Sequence, residues 1–284
     1  MLENIKYKLL ENFHKKPLVL NNAETIEKIL EGYSISRFVD GEFFLMIKEK
    51  GFDFQSINDN LSNRLLEVFN SNEERLLVAI PKVFEEKDLE FRTEASKQWW
   101  KNYLRNYREL WYKYIDFKKI YGSSTFTRNY IAVEDKSICK EYFESIKKIW
   151  NDKEIIIVEG KYSRLGIGND LFNEAKSIQR ILAPNKNAFD KYNEILNRVK
   201  LESQDKLILI ALGPTATILA YDLHKLGYQA IDIGHIDIEY EWFLQGTTEK
   251  TKVKNKYTYE ASGVTANDNF KDEIYESQII SVID

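Results

Sequence analysis

Five short apolar runs, each rich in β-branched or leucine residues and closed by a proline or glycine, constrain the fold of this chain most. They are LLVAI before Pro81, IIIVEG at 155–160, RILA before Pro184, LILIALG before Pro214 and YQAIDIG at 228–234. Such runs indicate strands that are buried on both faces. Amphipathic, Lys/Glu-rich stretches of helical length lie among them, at 59–70, 94–113, 136–150, 187–200 and 214–226. Strands that alternate with helices predict an α/β fold with a Rossmann-like, mostly parallel sheet.

The 284 residues contain no internal repeat and no low-complexity linker, which predicts a single domain over 1–284. We expect its core to span about 30–245. The segment 85–118 carries Trp99, Trp100, Trp111 and several tyrosines, and we expect a helical insertion there. We expect these tryptophans to pack in the core and not to form a sugar-binding surface, because burying an aromatic ring removes a large apolar area from water. The polar stretch 246–284 is expected to be irregular or to form an accessory element.

Composition excludes several classes of protein. The net charge of -4 gives no electrostatic reason to expect nucleic acid or an anionic membrane as a partner, although peripheral membrane docking and homo-oligomers stay open. Cys139 is the only cysteine, so no intramolecular disulfide is possible, and a cytoplasmic location fits. The charged N-terminus lacks the apolar region of a signal peptide, and no run approaches the 18 uncharged apolar residues of a membrane span.

The stretch DIGHIDIEYEW, 232–242, places His235, one of three histidines, among acidic residues. In an extended segment His235, Asp237, Glu239 and Glu241 point one way. In a helix His235 and Glu239 are neighbours, but so are the like charges Asp237 and Glu241. In both cases crowded carboxyl groups cost free energy unless a cation, a proton or a ligand offsets them. We therefore expect this segment to do chemistry.

The stretch SRFVDGEF, 36–43, places Asp40 and Glu42 two residues apart. In an extended turn the two carboxylates face the same side and offer hard oxygen ligands to a divalent cation, which keeps other positions for water and phosphate. Arg37 can then reach a phosphate. The alternative is a solvated turn that opens a helix with Asp40 as its N-cap.

The stretch VEGKYSRLGIGNDLF, 158–172, follows a predicted strand and contains the glycines 160, 166 and 168. Glycines let backbone amides approach a ligand, and a helix beginning at 166–168 would direct its N-terminus at an anion. The spacing is not that of a dinucleotide-binding loop, and a glycine-rich turn is the alternative. We expect the following residues to bind a ligand: Glu159, Ser163, Arg164, Gly166, Asn169 and Asp170.

Two further strand ends carry candidate binding residues. In APNKNAFDKY, 183–192, Asn185 and Asn187 can bind a base or a sugar, or one of them can cap the next helix. In ALGPTATILAYDL, 211–223, Gly213 and Thr215 flank Pro214 at a helix start whose free amides favour an anion, although an ordinary strand–helix junction looks the same.

Arg128 in STFTR is a weaker phosphate candidate, and Asp222 and His224 are expected to be structural. In open parallel sheets ligands bind outside the carboxyl ends of the strands, where these motifs collect.

Six segments occur in the same order in bacterial glycosyltransferases of the GT-D fold, which the chain resembles over about 30–245. They are SRFVDGEF, the strand ending in IP, VEGKYSRLGIGNDLF, APNKNAFDKY, LIALGPTATILAYDL and AIDIGHIDIEYEW. The resemblance implies a Rossmann-like domain and a UDP-sugar donor, which Arg37 and the strand-end residues named above would bind. It also implies a D-x-E motif that binds a divalent metal, Mn²⁺ or Mg²⁺, here matched by Asp40 and Glu42. One departure is Val39, where glycine is common.

The resemblance also implies a cytoplasmic enzyme whose acceptor is a glycan, glycopeptide or lipid-linked sugar. A metal can stabilise the charge that builds on a departing diphosphate. Inversion of the anomeric centre would require a general base, for which Asp237 or Glu239 is favoured, with His235 as an orienting group or metal neighbour. Two alternatives stay open: a non-catalytic nucleotide-sugar-binding partner of a glycosyltransferase, and a metal-dependent nucleotide-sugar hydrolase.

Overall fold

The computed structural model describes residues 15–261, 263–264 and 270–284, so most of the charged N-terminal stretch lies outside the described residues. The described chain forms a nine-stranded sheet in the order β1-β4-β3-β2-β8-β7-β5-β6-β11, and all its strand pairs are parallel. Its strands are β1 Leu18–Val19, β2 Ser34–Arg37, β3 Leu76–Ile80, β4 Ile120–Ser123, β5 Glu154–Gly160, β6 Ser177–Ala183, β7 Leu207–Ala211, β8 Ala230–Asp232 and β11 Ile279–Val282. A two-residue pair, β9 Tyr257–Thr258 and β10 Gly263–Val264, stands apart and is antiparallel. The predicted α/β fold is therefore confirmed.

Helices connect the strands and cover both faces of the sheet. They are α1 Asn22–Leu30, α2 Asp40–Met46, α3 Asp59–Asn70, α4 Glu94–Tyr112, α5 Cys139–Lys147, α6 Tyr192–Val199, α7 Pro214–Lys225, α8 Ile236–Gln245 and α9 Glu273–Gln278. Several begin at side-chain caps: Asn58 accepts from the amides of Asn60 and Leu61 at the start of α3, and Thr93 accepts from Ser96 at the start of α4.

Side-chain alternation along the central strands divides the core into two layers. Ile155 and Ile157 of β5 pack in the layer with α1, α5 and α8, whereas Ile156 and Val158 face α6 and α7. A third apolar cluster joins α2, α3 and α4 to β3 on the α7 side. Each fully buried aliphatic side chain contributes roughly 1.5–3 kcal/mol. This burial on both faces explains why the strands contain uninterrupted apolar runs.

Two predictions of local structure need correction. Residues 166–170 form turns and not the start of a helix, so no helix N-terminus lies there. The stretch 187–200 begins as a 3-10 helix, Ala188–Lys191, before α6. The stretch 246–284, expected to be irregular or accessory, supplies α9 and the edge strand β11, which pairs with β6. Together with β1, this strand carries the sheet beyond 30–245.

Helix α4 confirms the predicted helical insertion, and its tryptophans are divided between two environments. Trp100 and Trp111 are buried, and Trp111 stacks on Phe43 with the ring centroids 3.9 Å apart. Trp99, in contrast, is 48% exposed. The core interpretation holds for two of the three rings only.

Candidate active site

A cavity of about 790 Å³ opens at the carboxyl end of the sheet. Residues that follow β2, β4, β5, β6, β7 and β8 line it, together with the start of α4 and the segment 248–260. Strand β2 lies between β3 and β8, and the helices that follow β2 and β8, α2 and α8, pack on opposite faces of the sheet. Ligands of open parallel sheets bind at such a switch point. The cavity is large enough for a small-molecule ligand.

Asp40 and Glu42 both line the cavity, but not on an extended turn as one interpretation expected. They occupy the first turn of α2, where Val39 is the N-cap and the Glu42 carboxylate accepts from the Val39 amide at 3.0 Å. Burial, followed by the Asp232 carboxylate, raises the pKa of Glu42 to about 7. Burial also raises the pKa of Asp40. The two carboxyls therefore favour a nearby positive charge.

The chemistry of these two carboxylates fits a hard divalent cation. Among the described residues, no three His, Cys, Asp or Glu side chains are grouped so that they could hold a metal by themselves. A cation at Asp40 and Glu42 would therefore take its other ligands from water and from a bound phosphate, an arrangement that is usual for Mg²⁺.

Arg37 lies at the end of β2 in direct contact with Asp232, the last residue of β8. The guanidinium donates to the Thr127 hydroxyl and stands 3.8 Å from Asp232 Oδ1. Burial lowers the pKa of Arg37, and the Asp232 carboxylate opposes that effect. Gly234 packs against the guanidinium, because a Cβ there would lie 2.5 Å from Nη1. The arginine is therefore held at the cavity wall.

The acidic segment is resolved as a helix, since α8 begins at Ile236 with His235 as its N-cap. Glu239 lies in the wall with its Oε2 accepting from the amides of Tyr130 and Ile131, at 2.9 and 3.0 Å. Its buried Oε1 has no hydrogen-bond partner. Burial raises the pKa of Glu239. This carboxylate has one anchored oxygen and one free oxygen.

Asp237 is held differently, although it also contributes to the cavity lining. One of its oxygens accepts from the Gly166 amide and from Asn169, and the other pairs with Lys256 at 2.7 Å. Both oxygens are therefore occupied, which argues against Asp237 as a proton acceptor. His235 lines the cavity, and burial lowers its pKa to about 4, so the ring is neutral at neutral pH.

The segment 248–260 contributes charges to the cavity. Glu260 pairs with Arg128 at 2.5 Å and with Lys250 at 2.6 Å. Burial alone would raise the pKa of Glu260, but these cations lower it. This places Arg128, the weaker phosphate candidate of the sequence, in the site.

The glycine loops of the predicted donor site reach the cavity in part. Gly160, Ser163 and Asn185 line it, and Asn185 Oδ1 accepts from the Tyr162 amide at 3.0 Å. A Cβ at residue 160 would stand 2.7 Å from that oxygen, which is why glycine occupies the position. Gly213 also lines the cavity with a φ of +52°. The expectation of free amides at 213–216 fails for Ala216, which donates to the Gly213 carbonyl.

Several residues predicted to bind a donor do not line the cavity. They are Glu159, Arg164, Gly166, Asn169, Asp170, Asn187 and Thr215. Glu159 is fully buried and pairs with Arg180 at 2.6 Å, since a lone carboxylate in the core requires a counter-charge. Arg164 lines a smaller pocket and donates to the Asn255 carbonyl.

The remaining residues of that set have roles in holding the fold. Asn169 and Gly166 bind the Asp237 carboxylate, and Asp170 binds Lys147 and Tyr240. Asn187 has left-handed backbone geometry and accepts from the Ser56 amide, so it does not cap with its side chain. Thr215 is fully buried. Asp222 pairs with Arg64, and His224 bonds to Ser34 and to the Glu74 carbonyl, as expected of structural residues.

Sequence reasoning missed one wall of the cavity completely. Arg92, Trp99, Tyr257, Tyr259 and Glu260 line it, and none belongs to a recognised motif. They come from the helical insertion and from the polar C-terminal stretch. The adjacent tryptophans Trp99 and Trp100, of which only Trp99 is exposed, were the local signal in the sequence.

With this geometry established, comparison with known proteins decides the family. A family model described as "Glycosyltransferase GT-D fold" matches residues 35–261. The chain belongs to the GT-D fold family of glycosyltransferases. It is 39% identical over 97% of its length to the "Probable glycosyl transferase Gly" of Streptococcus gordonii, and 36% identical over its whole length to "Glycosyltransferase GlyD" of Streptococcus pneumoniae.

This GT-D chain spans only 40% and 35% of the lengths of those two relatives. Solved structures agree on the fold. One, described as the highly conserved domain of unknown function 1792 with a distinct glycosyltransferase fold, is 38% identical, with a TM-score of 0.86 and coverage of 95% of this chain and 97% of that one. Another, described as a new glycosyltransferase from Streptococcus sanguinis, is 37% identical, with a TM-score of 0.87 and coverage of 95% and 100%.

No helix in the described part of the chain combines the length and the apolar character that a membrane crossing requires.

Proposed function

We propose that this GT-D chain transfers a hexose, glucose or a related sugar, from a UDP-sugar to a glycan, glycopeptide or lipid-linked acceptor in the cytoplasm, with inversion. The observation that carries the proposal is the group of Asp40, Glu42 and Arg37 at the switch point of the sheet. Two carboxylates with raised pKa values beside a fixed guanidinium favour a metal-bound diphosphate. The choice of uridine and hexose rests on the family resemblance.

One group of residues in the cavity would stabilise the leaving diphosphate, and another would activate the acceptor hydroxyl. A divalent cation, Mn²⁺ or Mg²⁺, held by Asp40 and Glu42 would neutralise charge on the leaving diphosphate. Arg37 would donate to the same phosphates, and Gly160, Ser163, Asn185 and Gly213 would bind other parts of the donor. Inversion requires a base on the acceptor side.

Glu239 is the better base of the two that the sequence suggested. Its Oε1 is free, its Oε2 is fixed by two amides, and its raised pKa makes the carboxylate a stronger proton acceptor. Asp237 has both oxygens occupied, so we assign it the role of fixing the 166–169 loop and Lys256 against α8. His235, neutral at pH 7, would orient the substrate.

The test is UDP release from a panel of UDP-sugars with Mn²⁺ and then with EDTA, using the wild type and Asp40→Ala/Glu42→Ala. We expect metal-dependent release, lost in the double variant, with one preferred sugar. Rapid release without acceptor would favour a nucleotide-sugar hydrolase. UDP binding without release, even with lipid-linked or glycopeptide acceptors, would favour a non-catalytic binding partner and overturn the proposal.

A further inference from the structure

Arg92 is a buried cation at the cavity wall, and no carboxylate in the described part of the chain forms an ion pair with it, although Asp88 and Glu239 act on it electrostatically. It is 3% exposed and lines the cavity. Its Nε has no hydrogen-bond partner, and no hydrogen bond or ion pair joins its guanidinium to any residue that the structure describes. Its contacts are the rings of Phe91 and Trp100, with centroids 5.0 and 5.8 Å away. A buried charge of this kind is costly unless a ligand completes it.

Trp99 presents an aromatic surface on the same wall. Its ring stacks on Tyr103 with the centroids 5.3 Å apart and the planes 10° apart, yet nearly half of the residue is exposed. Tyr103 is itself held, because its hydroxyl accepts from the Trp111 indole at 2.9 Å. A fixed, exposed indole suits the apolar face of a sugar ring.

Backbone contacts connect this wall to the proposed base. The Thr93 amide donates to the Ala132 carbonyl at 2.9 Å, and the backbones of Arg92 and Val133 pair as an isolated antiparallel β-bridge. The neighbouring amides of Tyr130 and Ile131 hold Glu239. The Glu239 carboxylate also acts electrostatically on Arg92. Arg92 therefore lies on the side of the cavity where an acceptor hydroxyl must meet Glu239, and Trp99 lines the same cavity.

We propose that Arg92 and Trp99 form an acceptor subsite, in which Trp99 stacks on a sugar ring and Arg92 binds an oxyanion carried by that acceptor. The inference rests on the proposed function, since it names the substrate class of the same site. A phosphate next to the sugar, as in a lipid-linked acceptor, and a carboxylate, as in a uronic acid, share the required chemistry. A bidentate guanidinium contact suits both groups.

The experiment compares three probes by ligand-observed NMR titration with UDP and Mn²⁺ present: methyl β-D-glucopyranoside, methyl β-D-glucuronide and α-D-glucose 1-phosphate. We expect at least one anionic probe to bind about tenfold more tightly than the neutral one, as a hydrogen bond to a charged group predicts. Preference for the phosphate would indicate a phosphate-linked acceptor, and preference for the glucuronide a uronic acid.

Arg92→Gln should abolish that preference and leave UDP affinity unchanged. Trp99→Ala should weaken all three probes, whereas Trp99→Phe should retain much of the binding. Arg105→Gln changes an exposed arginine on α4, the helix that carries Trp99; it is the matched control and should behave as the wild type.

Equal affinity of the wild type for the three probes would overturn the subsite, whether or not Arg92→Gln folds. An unchanged preference for the anionic probe in a folded Arg92→Gln protein would also overturn the subsite. Weakened UDP binding by Arg92→Gln with unchanged probe binding would overturn it too, because that result places Arg92 at the donor. Failure of the wild type to bind UDP would overturn the proposed function and not the subsite. The preference among the three probes, measured without UDP, would still test the role of Arg92.

Discussion

Gly234 holds Arg37 in place by leaving room for it: a Cβ at residue 234 would lie 2.5 Å from Nη1 and 2.8 Å from Cζ of the guanidinium. The glycine also has a φ of +45°. One backbone position after β8 thus fixes a side chain at the end of β2, across the switch point of the sheet.

Replacing Gly234 with alanine should displace Arg37 and reduce kcat/KM by about 100-fold, the size of effect seen when one charge-stabilising donor is lost. Gly246→Ala is the matched control, because Gly246 has a φ of +63° and nothing within 4 Å of a Cβ. Both variants should lose about 1 kcal/mol of stability through backbone strain. Equal activity of the two variants would contradict the role of Gly234.

Glu159→Gln should destabilise the fold by about 3–5 kcal/mol, because it leaves the buried Arg180 charge without its partner. Urea unfolding measures this, and UDP affinity of the folded fraction should not change. Glu154→Gln removes an exposed ion pair with Lys176 and should have no measurable effect. A stable Glu159→Gln protein with weakened UDP binding would return Glu159 to the donor site.

Stability without metal should fall as pH rises from about 4.5 to about 7. The folded pKa of Glu42 is about 7, above its ordinary 4.5, so in this interval the folded state binds more protons than the unfolded state. Deprotonation then costs more in the folded protein. Thermal unfolding in EDTA should show this slope, and Glu42→Gln should reduce it.

Mn²⁺ should reverse that trend, because it binds the deprotonated carboxylates and so stabilises the fold most at high pH. Melting curves with Mn²⁺ across the same pH interval provide the measurement. A Glu42→Gln protein that responds to Mn²⁺ as the wild type does would remove Glu42 from the metal site.

Glu239→Gln should lower kcat by about 10²–10⁴-fold, as loss of a general base does. Because burial raises the pKa of Glu239, the acid limb of the wild-type pH–rate profile should lie above the ordinary range of a glutamate, and the variant should lose that limb. Asp237→Asn should chiefly reduce stability, since it removes one of the two carboxylates, Asp237 and Glu241, that pair with the buried Lys256. Full activity of Glu239→Gln with an inactive, folded Asp237→Asn would reverse the assignment.

Individual elements show how far sequence patterns reach. The run LLVAI predicts β3 to the residue, and the stretch 59–70 coincides with α3. Both depend on local signals: a buried apolar run closed by proline, and an amphipathic stretch capped by Asn58. The pair Asp40 and Glu42 was found in the same way, but its helical geometry was not, because a D-G-E sequence suits a turn and a helix start equally well.

The stretch 158–172 shows what sequence patterns do not predict, namely which of two neighbouring side chains faces the cavity. Ser163 and Arg164 are adjacent in sequence, yet Ser163 lines the cavity and Arg164 lines a different pocket. Glu159 was predicted to bind the donor because it stands at a strand end, but the structure pairs it with Arg180. Asp237 and Glu239 are equivalent by pattern, and only their partners from distant segments, Lys256 and the amides at 130–131, tell them apart.

The sequence by itself determined the parallel α/β fold, the family and the strand ends that carry the site, because burial patterns and motif spacing are properties of neighbouring residues. Only the tertiary structure decided which carboxylate has a free oxygen, which buried arginine has no ion pair among the described residues, and how the C-terminal segment adds to the sheet and the cavity. Burial and pairing depend on groups far apart along the chain: Glu239 accepts hydrogen bonds from the amides of residues 130–131, and the Arg92 backbone pairs with that of Val133. Long-range contacts therefore set the chemistry of this site.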